Sequence, residues 1–196
     1  MKRSVPSLFI GNAGEFFVLA ELTRRGWTAA PTARNNRAYD ILAKWGDEFA
    51  AIRVKTKTSA FAVFQWNAKR SGDIFLEIAP QRDFCVLVDI PVDDDASPIY
   101  YVVPTPVIDK WLKDDFETWV NTPGAKGQQR AKGNKRRVFY ADDETEKLGH
   151  GYRQKLERYK AAWRLLGQAR TTRHVPLRAP SAAHPSDCPL DPHAVG

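Results

Sequence analysis

Residues 49–56, FAAIRVKT, alternate in a pattern that only a two-faced strand can use. Ile52 and Val54 point to one side and Arg53 and Lys55 to the other. A strand of this kind lies with its apolar face on a core and its charged face along a cleft. Its neighbours are also β in character. Residues 40–45, DILAKW, read as a preceding strand, with Gly46-Asp47 as the hairpin turn. DFCVLVDIP and IYYVVPT are strongly β, 27–30 form a short first strand, and 61–66 are either another strand or a loop.

Helices frame these strands. Asn12 is a candidate cap for a helix running to about 25, with Phe16, Phe17, Leu19, Ala20 and Leu22 as its apolar face and Gly26 as its stop. Thr105 and Pro106 open a second helix over 107–120 that buries Ile108, Trp111, Leu112, Phe116 and Trp119. Leu156, Tyr159, Trp163 and Leu166 recur at helical spacing and predict a third helix over 151–169. Between the last two, NTPGAKGQQRAKGNKRR holds three glycines, a proline and six Lys/Arg without an acid, and it reads as an exposed flexible loop. From Thr171 the Pro, Ala, Ser and His content reads as a disordered, dispensable tail.

The pattern is α/β: a core over 1–120, a basic loop and amphipathic helix over 121–170 packed on it, and the tail over 171–196. At 196 residues one core is the expectation. No apolar run is long enough for a membrane helix, and no signal-peptide pattern follows Met1, so a cytoplasmic protein is expected. Cys85 lies in an apolar strand and Cys188 in the tail, which argues against both a disulfide and a zinc site.

The charge is uneven. Residues 126–170 contain thirteen Lys/Arg and five Asp/Glu, a net of +8, while 1–125 contain fifteen and sixteen. A near-neutral core with a basic C-terminal third is the footprint of a polyanion binder, or of a merely solvated basic face. The basic candidates are Lys126, Arg130, Lys132, Lys135, Arg136 and Arg137.

Glu15, Asp40 and Lys55 form an acid, acid, basic series on helix, strand and strand. Carboxylates offer hard oxygen ligands to Mg²⁺ beside a phosphate, and a lysine orients or deprotonates the attacking water. Glu15 has a rival role as a capping-box acid three residues after Asn12. Position 53, two before the lysine and on its face, is Arg53 where a third carboxylate or an amide is expected.

The order of GNAGE on a helix, an aspartate at a strand, a hairpin and a strand ending in V-K-T resembles the PD-(D/E)xK superfamily of restriction-endonuclease-like nucleases, especially its Holliday-junction-resolvase-like branch. The resemblance covers about residues 8–105. It implies a mixed sheet between helices and Mg²⁺- or Mn²⁺-dependent cleavage of DNA, with Glu15 and Asp40 as metal ligands and Lys55 as catalytic lysine. Many relatives act as dimers on duplex DNA, so a homodimer is compatible with it. RNA is an equal target for phosphate contacts. An arginine cannot ligate a metal. At about 4 Å from a divalent ion its repulsion is on the order of 4 kcal/mol per unit charge at an effective dielectric near 20.

Three readings of Arg53 stand open. It holds the scissile phosphate while Glu15, Asp40 and the carbonyl of residue 53 keep the metal. It pairs with Asp40 or Glu15 and replaces the metal, leaving a DNA-binding module without catalysis. Or the acidic ligand has moved to Glu48, which is on the wrong face of a regular strand. Lys57 extends the basic face or guards a strand edge. Gln65, Lys69 and Arg70 lie where such nucleases often place DNA contacts. Asp93-Asp94-Asp95 reads as an acidic turn, His150, His174, His184 and His193 as bystanders, and Trp111, Trp119 and Trp163 as core.

Overall fold

The structure is a computed structural model that describes residues 5–33, 36, 38–75, 77–93, 95–140 and 152–167. The tail from Thr171, the four histidines and Cys188 lie outside the described residues. The elements are α1 (Ser7–Arg24), β1 (Thr28–Pro31), β2 (Ile41–Trp45), β3 (Glu48–Thr58), β4 (Val63–Asn67), β5 (Asp83–Ile90), β6 (Ile99–Pro104), α2 (Thr105–Asn121), β7 (Arg136–Tyr140), α3 (Tyr152–Glu157) and a 3₁₀ turn (Trp163–Gly167). Five strands form one mixed sheet in the order β1-β2-β3-β5-β6, and β4 and β7 form a separate antiparallel ribbon. The fold is α/β, with helices on both faces of the mixed sheet.

Strand periodicity assigns each face. Ile52 and Val54 of β3 join Ile41 and Ala43 of β2 and Phe84, Val86 and Val88 of β5 against Val18 and Leu22 of α1. The other face gives Cys85, Leu87 and Val103 to a second core with Ile108, Trp111 and Leu112 of α2 and Phe64, Trp66 and Phe139 of the ribbon. β3 and β5 run parallel, with Arg53 beside Cys85 and Lys55 beside Leu87.

Two helices differ from the sequence reading. α1 starts at Ser7 behind Pro6 with no side-chain cap, so Asn12 is interior and Glu15 lies in the third turn. The capping-box role of Glu15 is thereby removed. The buried row is Gly14, Val18 and Leu22, while Phe16 is exposed. Gly14 sets this row because it meets β3, where a Cβ would come within 2.9 Å of Thr56 Cβ.

The segment 151–169 is not one helix. Leu156 of α3 enters the core under α2, while Ala162, Trp163 and Leu166 enter the core under α1. Between them the chain crosses the outer edge of β6, with Val102 N donating to Tyr159 O (2.9 Å) and Ala161 N to Tyr100 O (2.8 Å). Ala161 takes φ +46° at the break. One straight helix cannot reach both faces of a sheet, so the helical spacing of its apolar residues was met in two pieces. The crossing also covers a strand edge.

The basic loop is likewise more built than its composition suggests. Arg136 and Arg137 belong to β7, and Arg137 is buried with its guanidinium 3.3 Å from the centre of the Phe116 ring. Arg130 Nη1 donates to Trp119 O (3.1 Å) at the end of α2 and lies over the Trp119 ring. These two cations fasten the loop to α2. Asp95 N donates to Asp93 Oδ1 (3.2 Å), a hydrogen bond within the acidic turn.

Candidate functional site

The cleft face of β3 presents Arg53, Lys55 and Lys57, and the parallel register puts Asp83 and Asp89 of β5 on the same side. Three cations buried on one strand face need partners. Arg53 forms an ion pair with Asp83, and Lys57 one with Asp89. Lys55 lies between them against Leu87 and makes no ion pair with a described residue. Lys57 is 7 % exposed and sits over the Phe64 ring. Its ion pair with Asp89 therefore ties β3 to β5.

Arg53 does not pair with Asp40 or Glu15. Its Nη1 donates to Asp83 Oδ1 and its Nη2 to Glu77 O (2.6 Å), and the guanidinium is flanked by the rings of Tyr39 and Phe75 at 4.5 and 5.1 Å. Asp83 is fully buried and also accepts from Thr105 Oγ1 (2.6 Å). The pairing carboxylate expected on β2 or α1 is on β5 instead. Asp83 opens an apolar strand, where a charge is almost always paired. That was the sequence signal for it, but the partner lies 30 residues away.

Asp40, Arg53 and Lys55 line one cavity of about 210 Å³, with Tyr39, Val54, Trp66, Asn67, Phe75 and Cys85 among the other walls. Asp40 precedes β2, and its Oδ2 accepts Val54 N–H (2.7 Å). Burial raises the Asp40 pKa above the ordinary carboxylate value, opposed by the Val54 hydrogen bond and by the charges of Arg53 and Lys55. Burial lowers the Lys55 pKa, opposed by Cys85 and Asp40. Its Nζ lies 5.6 Å from the centre of the Trp66 ring. Burial likewise pushes the Cys85 thiol up to about 12, so it stays protonated and unreactive.

Glu15 is half-buried on α1 and does not line this cavity. Among the described residues no three His, Cys, Asp or Glu side chains come together as a metal site. Among the described residues Asp40 is the only carboxylate in the cavity lining, and the Arg53 guanidinium lines it too. These residues do not make a full ligand set for Mg²⁺, which favours six oxygens in a near-ideal octahedron. Glu48 begins β3 opposite Trp45 and is also outside the cavity lining.

The ribbon brings the basic region to this cavity. Asn67, a cavity wall, pairs with Arg136, and Ala68 N donates to Lys135 O (2.7 Å). Gln65, Arg70, Lys132, Lys135 and Arg136 are exposed around it, Lys69 is half-buried, and Lys126 is exposed farther along the loop. A wider depression of about 460 Å³ near the end of α2 is lined by Asp114, Glu117, Thr118, Asn121 and Thr122 and offers no cation to a polyanion. No described helix is long and apolar enough to cross a membrane.

Among solved structures the chain is similar to the bacterial homing endonuclease I-Ssp6803I, at 14 % identity and a TM-score of 0.46 over 84 % of this chain and 94 % of that one. It is also similar to Hjc, a Holliday junction resolvase of the archaeal hyperthermophile Archaeoglobus fulgidus, at 16 % and 0.36 over 66 % and 83 %. A third likeness is to MepB, at 11 % and 0.35 over 74 % and 93 %. No family model and no curated protein matches the sequence.

Proposed function

We propose that this chain binds DNA on a nuclease-like α/β core in which a buried Arg53–Asp83 ion pair stands where a metal carboxylate would be. That pair carries the reading, because it uses the guanidinium internally and leaves Asp40 as the only acid of the cavity among the described residues. Lys55, which lies between two paired cations and has no ion pair with a described residue, is the residue that meets a backbone phosphate there. The exposed cations beside the ribbon extend the contact along the strand by charge alone.

One observation favours the second reading, a Mg²⁺-dependent endonuclease. Asp40 and Lys55 share the cavity, and the Arg53 charge is neutralised by Asp83, so its repulsion of a cation is reduced. One pair of assays separates the two. In the binding reading, affinity for duplex DNA falls steeply with salt, and replacing Lys126, Lys132 and Lys135 with alanine flattens the log–log slope by about two to three units. Supercoiled plasmid stays intact with Mg²⁺ or Mn²⁺. Nicking that needs the metal and disappears in Lys55→Ala would replace this reading with the endonuclease one. An unchanged salt slope would show that the loop cations are only solvated.

A further inference from the structure

The ribbon of β4 and β7 has two unlike faces. Phe64, Trp66, Arg137 and Phe139 point into the protein, and Phe64 and Phe139 are almost wholly buried. The outer face is a two-by-two array, Gln65 beside Val138 and Asn67 beside Arg136. Gln65, Asn67 and Arg136 are exposed, and the structure gives their side-chain heads no hydrogen-bond partner among the described residues. Phosphate binding alone does not need this set, since lysines at any exposed position supply it.

The donor and acceptor chemistry of the array matches base edges. A glutamine or asparagine forms a bidentate pair with adenine N6 and N7, an arginine with guanine O6 and N7, and a small apolar group meets the thymine methyl. Strands in a ribbon lie about 4.8 Å apart, so the array fits within a B-DNA major groove about 12 Å wide, the way β-ribbon readers dock. Cations at the ribbon end, Arg70, Lys132 and Lys135, are then placed for the flanking phosphates. The deep, narrow major groove of A-form RNA does not admit a ribbon.

From this placement we infer that the outer face of the ribbon reads the adenine and guanine edges of a specific sequence in the major groove of duplex DNA, next to the Asp40–Lys55 cavity that Asn67 also lines. The inference rests on the DNA-binding reading and adds sequence selectivity to it.

The test is selection of binding sites from a pool of random-sequence DNA duplexes with the full chain, followed by binding measurements on an enriched and a scrambled duplex. The expected result is an enriched site bound at least tenfold better than the scrambled one. Gln65→Ala with Asn67→Ala should reduce that ratio by roughly tenfold or more, the scale of one to two lost bidentate contacts, while leaving the salt slope unchanged. Lys132→Ala with Lys135→Ala should do the reverse. Both pairs are surface changes, and circular dichroism confirms their folding. Salt-dependent binding with no enriched sequence, a ratio that survives the Gln65/Asn67 change, or equal binding of duplex RNA would overturn the inference while leaving nucleic-acid binding in place. Absence of any polyanion binding would remove both.

Discussion

Replacing Asp83 with asparagine removes one charge from a fully buried pair without changing its shape. The Arg53 guanidinium then keeps Glu77 O, two ring faces and a neutral amide oxygen, at 8 % exposure, and loses its counter-ion. Breaking a buried pair from one side costs about 3–5 kcal/mol, a large share of the 5–15 kcal/mol that a domain has in total. Replacing both partners, Arg53→Met with Asp83→Leu, removes both charges and should come within about 1–2 kcal/mol of the parent. Urea unfolding compares the two variants directly. With a slope of about 2–3 kcal/mol per M, the single change moves the midpoint down by about 1–2.5 M, while the double change nearly restores it. A single-variant loss under about 1 kcal/mol, or a double variant no more stable than Asp83→Asn, would refute the claim that the two side chains form one neutral unit.

Two glycines of α1 should respond with opposite signs. Gly14→Ala drives a Cβ to 2.9 Å from Thr56 Cβ and Cγ2 and should lose about 1–3 kcal/mol in thermal or urea unfolding. Gly11→Ala meets nothing within 4 Å in a helix interior and should gain about 0.5–1 kcal/mol. If both have the same sign, the close approach of α1 to β3 is wrong. Lys55→Met tests the cavity. Burial lowers the folded amine below its ordinary value of 10.5, so the charged form weighs against folding at pH 7 and that cost is gone above 10.5. The variant should melt higher than the parent at pH 7, with the difference shrinking as pH rises toward 10.5. An equal difference at both pH values would show that Lys55 is not desolvated in the folded state.

The parts of the fold that the sequence shows are those whose pattern is local. Alternation in 49–56, the apolar run DFCVLVDI and the Thr105-Pro106 start each correspond to an observed element because one strand face or one helix turn decides them. The start of α1 was hidden because Pro6 stands at its cap without a side-chain hydrogen bond, while Asn12, a better cap by chemistry, is interior. The break at Ala161 was hidden because Leu156 and Trp163 keep helical spacing while serving different cores. Of the set read from the sequence, Glu15, Asp40, Arg53 and Lys55, the last three line one cavity and Glu15 does not. Asp83 and Asp89 were not legible, since their meaning comes from the parallel pairing of β3 with β5, and the crossover over 59–82 leaves no motif.

That pairing also explains why Lys55, rather than Lys57, is the cation left to the cavity. Charges on one strand face recur every second residue, so Arg53, Lys55 and Lys57 face one layer, and burying all three without anions is too costly for a sheet of this size. β5 supplies carboxylates at its first and seventh residues, which reach the outer two cations, and puts Cys85 and Leu87 between them. Among the described residues the carboxylate that faces the middle cation is therefore Asp40. The same geometry ties positions 53 and 83 together. A carboxylate at 53 would stand beside the buried Asp83 as a like charge, so Arg53→Glu should cost stability unless Asp83 is neutralised or a cation joins the pair.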